Sequence, residues 1–165
     1  MTDEMHEGFL KALDDSQAAV IRVAIHLLAN GHDVLIPAMS RAPERKDWKD
    51  FSDGGDLFVV REGRRYRLEV KHLSSNFTNR DDWPFAPHYI VNSKGSHDRA
   101  HPVPSAYFAV NKEMTHVGEV RVGKTHEDWT VEQRGDSRRP SLAAREQYLC
   151  PLHLVKFYPL EGLNE

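Results

Sequence analysis

The chain has 165 residues, 39% hydrophobic and 28% charged, with a net charge of −3 and a pI near 6.4; these values fit one globular domain around one core and exclude a globally basic nucleic-acid binder. A single cysteine, Cys150, excludes an intrachain disulfide framework and points to a reducing, cytoplasmic compartment. No stretch approaches the roughly 20 apolar residues of a membrane span, and no basic segment with an apolar core opens the chain, so neither a membrane anchor nor a secretion signal is expected.

From Ser16 to Asn30, Val20, Ile21, Val23, Ala24, Leu27 and Leu28 recur at helical spacing. Asp14, Asp15 or Ser16 can cap this helix and Gly31 can end it, with Phe9, Leu10 and Leu13 in a preceding turn or short helix. HDVLIPA at 32–38 reads as a strand, and the polar segment SRAPERKDWKDFSDGG as an exposed loop. Two strands, DLFVVR and RRYRLEVK, then flank Glu62-Gly63 as a hairpin. After Lys71 the stretch LSSNFTNRDDWPFAPH reads as a long loop, of the kind that is more often functional than idle. Strands are expected at 88–92, 106–111, 115–122 and 129–134, with KGSHDRAHPVP between the first two punctuated by Gly95, Pro102 and Pro104. Pro140 to Gln147 can hold a short helix, and LHLVKFYPL reads as a final strand or tail docked on the core. The order implies an α/β (α+β) single domain spanning 1–165, with one central sheet and an N-terminal helix on its face.

The hairpin carries the chemistry. A two-residue turn centred on Glu62-Gly63 sets Asp56 directly across from Glu69, with Cβ atoms roughly 4.5 to 5.5 Å apart. Alternation sends Leu57, Val59, Tyr66, Leu68 and Val70 to the core and Asp56, Phe58, Val60, Arg65, Arg67, Glu69 and Lys71 to the other face. A three-residue loop would place Asp56 opposite Leu68 and carry a charge onto the apolar face, so it is disfavoured. Two carboxylates held this close repel each other unless a cation lies between them. Hard oxygen ligands suit Mg²⁺, with the Val70 carbonyl as a further ligand and Lys71 on the same face to orient or deprotonate a water activated by the metal. The bound metal would also stabilise charge building on a phosphate oxygen, which is what phosphodiester hydrolysis requires.

These residues resemble the PD-(D/E)XK nuclease superfamily, whose hallmark is an aspartate entering one strand and Glu-x-Lys on the next. Gly55-Asp56 and Glu69-Val70-Lys71 carry the match, with DFSDGGDL before the first strand and a helix ending in glycine upstream, over the region from Ser16 to His72. The tripeptide alone is weak, since Glu44-Arg45-Lys46 is a second copy with no partner; the register with Asp56 gives it weight. The resemblance implies a restriction-endonuclease-like core with a central mixed β-sheet, and a hydrolase that cuts nucleic acid, most simply DNA, with Mg²⁺ or Mn²⁺. It assigns Asp56 and Glu69 to the metal together with the Val70 carbonyl, and Lys71 to the attacking water. Gly55 replaces the proline of the family name, and Gln17 stands nearest to a helix glutamate that many members carry, with Asp14 or Asp15 as substitutes. A small nuclease of this type suits a phage or mobile element, with specificity from substrate shape, from a homodimer or from a partner protein. The competing reading is a catalytically inactive module that binds nucleic acid or a protein.

Arg61, Arg64, Arg65 and Arg67 crowd the turn, and Arg80, Lys94 and Arg99 follow in loops. Arg65, Arg67 and Arg80 are the expected phosphate contacts, against the alternative of a charged edge that discourages strand pairing. Trp83, Phe85 and His88 can stack on bases or plug the sheet. Among the 10 histidines, His97 with His101 and Cys150 with His153 suggest zinc pairs, but they fit no zinc template well. His72 is expected on the face opposite Lys71.

Overall fold

The computed structural model describes residues 3–38, 55–135 and 143–162, with the side chains of the first helix described from Asp14 onward. Helix α1 (Asp3–Ala29) is continuous, whereas the sequence suggested a start near Ser16. Residues 9–30 contain no glycine or proline, so nothing forces the backbone out of helical geometry, and Asp14, Asp15 and Ser16 stay inside the helix instead of capping it. The C-terminal stop is as expected. Gly31 takes φ +78°, its N–H donates to the Leu28 carbonyl (2.9 Å), and the His32 N–H donates to the Leu27 carbonyl (3.0 Å), the paired bonds of a Schellman motif.

Strands β1 (Asp33–Leu35), β2 (Leu57–Arg61) and β3 (Arg64–His72) pair in antiparallel succession. Next come β4 (His88–Ser93), helix α2 (Lys94–Arg99), β5 (Ala106–Val110) and β6 (His116–Arg121), the strands close to their expected places. Helix α3 (Val122–Thr125) and a 3₁₀ turn at His126–Asp128 lead into β7 (Thr130–Arg134). Strand β8 (Arg145–Pro151), a 3₁₀ turn at Leu152–Leu154 and β9 (Lys156–Pro159) close the described chain. Among the described residues the larger sheet has the order β1-β2-β3-β5-β6-β9 and is mixed, because β5 runs parallel to β3. A parallel pair needs a long crossover, and here it consists of loop 73–87, β4 and α2.

Three expectations are corrected. The single sheet becomes two, because β4, β8 and β7 form a separate three-stranded sheet. The short helix suggested for Pro140 to Gln147 is absent at 145–147, where β8 pairs with both β4 and β7; residues 140–142 lie outside the described residues. The punctuated segment after β4 holds α2, since Pro102 and Pro104 fall beyond its end and the Ser93 hydroxyl caps its start by accepting the Ser96 N–H. The loop expected over 40–55 lies almost wholly outside the described residues.

Two apolar clusters sandwich the larger sheet. Ala19, Val20, Val23, Ala24 and Leu27 of α1 pack on Leu57, Val59, Leu68, Val70 and Phe108. On the opposite face Tyr107, Ala109 and Val120 meet Tyr89, Val91 and Cys150 of the smaller sheet, with Phe77 and Trp83 from the long loop. The fold is therefore mixed α/β, with a helix on one face of the main sheet and a small sheet on the other. Among the described residues no helix is long and apolar enough to cross a membrane.

Candidate active site

The hairpin that carries the candidate site has the expected turn. Glu62 and Gly63 both take positive φ, +50° and +73°, as a type I′ turn demands. The register follows from it: Leu57 faces Leu68, Phe58 faces Arg67, Val59 faces Tyr66, Val60 faces Arg65 and Arg61 faces Arg64. Leu57, Val59, Leu68 and Val70 are accordingly buried beneath α1. Tyr66 shares that side but is 39% exposed, because the tip of the hairpin reaches past its neighbours.

Asp56 lies immediately before β2, and its Oδ2 accepts the backbone N–H of Val70 at 2.8 Å. That amide belongs to the residue between Glu69 and Lys71, so the first acid is fastened to β3 at the Glu-x-Lys segment. Glu69 Oε1 accepts Arg67 Nε at 2.5 Å, and the two side chains are only 20% and 11% exposed. Arg67 is thus turned inward to Glu69 instead of outward to a phosphate. Its aliphatic stem also lies on Gly55: a Cβ built there would stand 2.8 Å from Arg67 Cγ and Nε, and the φ of +124° is closed to proline. Glycine at this position therefore has a structural reason.

Lys71 projects to the same side as Glu69, two residues along β3. Among the described residues no ion pair or hydrogen bond engages it. The residue is exposed, yet protein crowds its ammonium, and the lost hydration holds its pKa below the usual lysine value. Beside Glu69 in the parallel register stands Tyr107, whose hydroxyl lies 2.8 Å from His97 Nδ1. Burial pushes the Tyr107 phenol up to about 12, with the Glu69 carboxylate adding to the shift and Arg67 opposing it. Sequence reading missed Tyr107 and the packing of Arg67 on Gly55. Both depend on pairing between distant segments, although the unusual Gly54-Gly55 before an acid was a visible cue.

Other expected residues fall elsewhere. Gln17 is half-buried on α1, which covers the face that Leu68 and Val70 point to, whereas Glu69 and Lys71 point to the other face. No contact brings Gln17 to the acids among the described residues, and Asp14 and Asp15 ride on the same helix. Arg80 Nη2 donates to the His153 carbonyl at 3.2 Å. Arg65 is exposed on the Glu69 side of the hairpin. Trp83 is a plug: it is 5% exposed, edge-on to Phe77, stacked on Tyr89 at 5.3 Å, and donates its indole N–H to the His88 carbonyl. Phe85 remains partly exposed beside it. His72 turns to the opposite side from Lys71 and lies 3.1 Å from the Lys112 carbonyl.

Among the described residues no group of three or more His, Cys, Asp and Glu is arranged to hold a metal ion. The zinc pairs lack partners of this kind. His97 is buried against Tyr107 and stacked on His126 at 5.5 Å, and α2 ends at Arg99, before His101. Burial raises the Cys150 thiol to about 11. Asp56, Glu69 and the Val70 carbonyl are the hard oxygen donors of this segment, the kind that could hold Mg²⁺ or Mn²⁺; in the structure Glu69 pairs with Arg67 and Asp56 accepts the Val70 N–H. Comparison of the chain with protein-family models, curated proteins and solved structures finds no match in any of the three.

Proposed function

We propose that the protein is a metal-dependent nuclease that hydrolyses phosphodiester bonds in DNA, in the manner of the PD-(D/E)XK superfamily. The observation that carries this reading is the hydrogen bond from the Val70 N–H to Asp56 Oδ2, which joins the first acid to the strand bearing Glu69 and Lys71. Asp56, Glu69 and the Val70 carbonyl would hold Mg²⁺ or Mn²⁺, which supplies Lewis-acid polarisation of a phosphate oxygen and a lowered water pKa. Lys71, without an ion pair or hydrogen bond among the described residues and less basic than an ordinary lysine, is suited to align the attacking water and receive its proton as the P–O bond to the leaving oxygen breaks. Arg67 supports Glu69 through the ion pair between them. The buried single cysteine supports a reducing, cytoplasmic setting.

The test is a panel of labelled single-stranded, duplex and branched DNA and RNA, incubated with Mg²⁺, Mn²⁺ or EDTA, beside Lys71→Ala. Cleavage that needs the metal and falls by 100-fold or more in the variant is the expected result, about the size of a lost general acid–base group. Cleavage in EDTA, or equal rates in Lys71→Ala, would remove the mechanism. A catalytically inactive binding module is the second reading, favoured by the Arg67–Glu69 ion pair and by the place of Gln17 on α1, which covers the sheet face opposite the one Glu69 points to. No cleavage under any condition, with nucleic-acid binding retained, would select it.

A further inference from the structure

The β2–β3 hairpin extends beyond the rest of the sheet. Pairing with β1 ends at Val60, and pairing with β5 begins at Leu68, so residues 61–66 are flanked by neither strand. Arg61, Arg64 and Arg65 are exposed there, and no hydrogen bond or ion pair engages them among the described residues. Arg61 and Arg64 stand directly opposite each other, a like-charge pairing that costs stability in an isolated protein. Alternation puts Arg61 and Arg64 on one side of the ribbon, with the exposed Tyr66, and Arg65 on the other. Glu62 at the apex is the one acid among them.

We propose that this arm enters a groove of double-stranded nucleic acid and grips phosphates of both strands, Arg61 and Arg64 on one side and Arg65 on the other. The inference rests on the nuclease reading and names a duplex as the substrate. A two-stranded ribbon fits a major groove roughly 12 Å wide, and arginines on both of its sides match a groove with phosphates on both walls better than a single strand. A polyanion also removes the Arg61–Arg64 repulsion. Arg65 lies four residues from Glu69 along β3, roughly 13 Å, which spans about four base-pair steps of B-DNA. The arm would then hold the duplex about that far from the cleaved bond.

The test measures binding of a labelled duplex and a labelled single strand across a salt series, in the Lys71→Ala background so that cleavage does not interfere. Replacing Arg61, Arg64 and Arg65 together with alanine should lower the slope of log affinity against log salt for the duplex by about 2.7, close to 0.9 for each phosphate no longer neutralised. The single strand should change less. Glu62→Asn, which suits the turn and removes the negative charge, should tighten duplex binding. On a duplex trimmed to fewer than four base pairs on one side of the cleaved bond, the protein with its arginines and the triple variant should bind alike.

An unchanged slope overturns the proposal, as do equal losses on both substrates. It also falls if the triple variant binds normally but aggregates, which would make the arginines guards of an open strand edge. Arginine-dependent binding to acidic protein or anionic vesicles in preference to duplex would reassign the surface. If duplex binding depends on the arginines but the wild-type protein cleaves nothing, the arm stands and the catalytic reading fails.

Discussion

Lys71 and Gly55 show what single residues contribute. Lys71 has its pKa depressed by crowding, so the folded state carries a penalty for its charge. The unfolded chain binds that proton more readily, and stability therefore rises with pH. The penalty is full below the depressed folded pKa and fades as pH climbs towards the ordinary value of 10.5. Lys71→Met should consequently unfold at a higher temperature than the native chain at neutral pH while cleaving nothing, and the advantage should shrink in thermal melts at rising pH. A lower melting temperature at neutral pH would contradict the crowding account. Gly55→Ala should cost about 1–3 kcal/mol in denaturant unfolding, because alanine is strained at φ +124° and its methyl group meets Arg67. Cleavage should fall with it, as Arg67 shifts and its ion pair with Glu69 loosens; a variant with native stability and rate would show that the packing of Arg67 on Gly55 is incidental.

The elements differ in how far the sequence revealed them. The hairpin is legible because its information is local: Glu62-Gly63 dictates a type I′ turn, the turn dictates the register, and alternation buries Leu57, Val59, Leu68 and Val70. The same local logic brings Asp56 beside β3, where its carboxylate accepts the Val70 N–H. Sheet pairing between distant segments is not legible in this way, which is why β8, the second sheet and Tyr107 beside Glu69 emerge only in the fold. Helix α2 is short and carries Gly95 in its first turn, so propensity argued against it, and the Ser93 cap supplied what propensity lacked. Glu62→Asn tests the turn itself: it should stabilise the protein by a few tenths to about 1 kcal/mol, since asparagine tolerates the left-handed conformation that glutamate enters at a cost. No gain in chemical denaturation would mean that the strands, and not the turn, set the register.

The whole molecule is arranged around one strand. Strand β3 is interior to the larger sheet, with α1 on one face and the smaller sheet on the other. Trp83 ties the long loop into the second face, so Trp83→Ala should cost about 3–5 kcal/mol in thermal or denaturant unfolding and loosen the side of the sheet from which Glu69 and Lys71 project. A loss under about 1 kcal/mol would show that the loop packs without its plug. The N-terminal helix was visible in periodicity, whereas the burial of β3 between two layers follows from the crossover to β5, which no local pattern encodes.

The central claim is that Asp56 and Glu69 share one divalent cation. Mn²⁺ binding followed by electron paramagnetic resonance tests it most directly, with native protein beside Asp56→Asn and Glu69→Gln. The account predicts a single bound ion in the native chain and loss of that binding in each variant, with the fold intact by circular dichroism. Undiminished Mn²⁺ binding in both variants would contradict it.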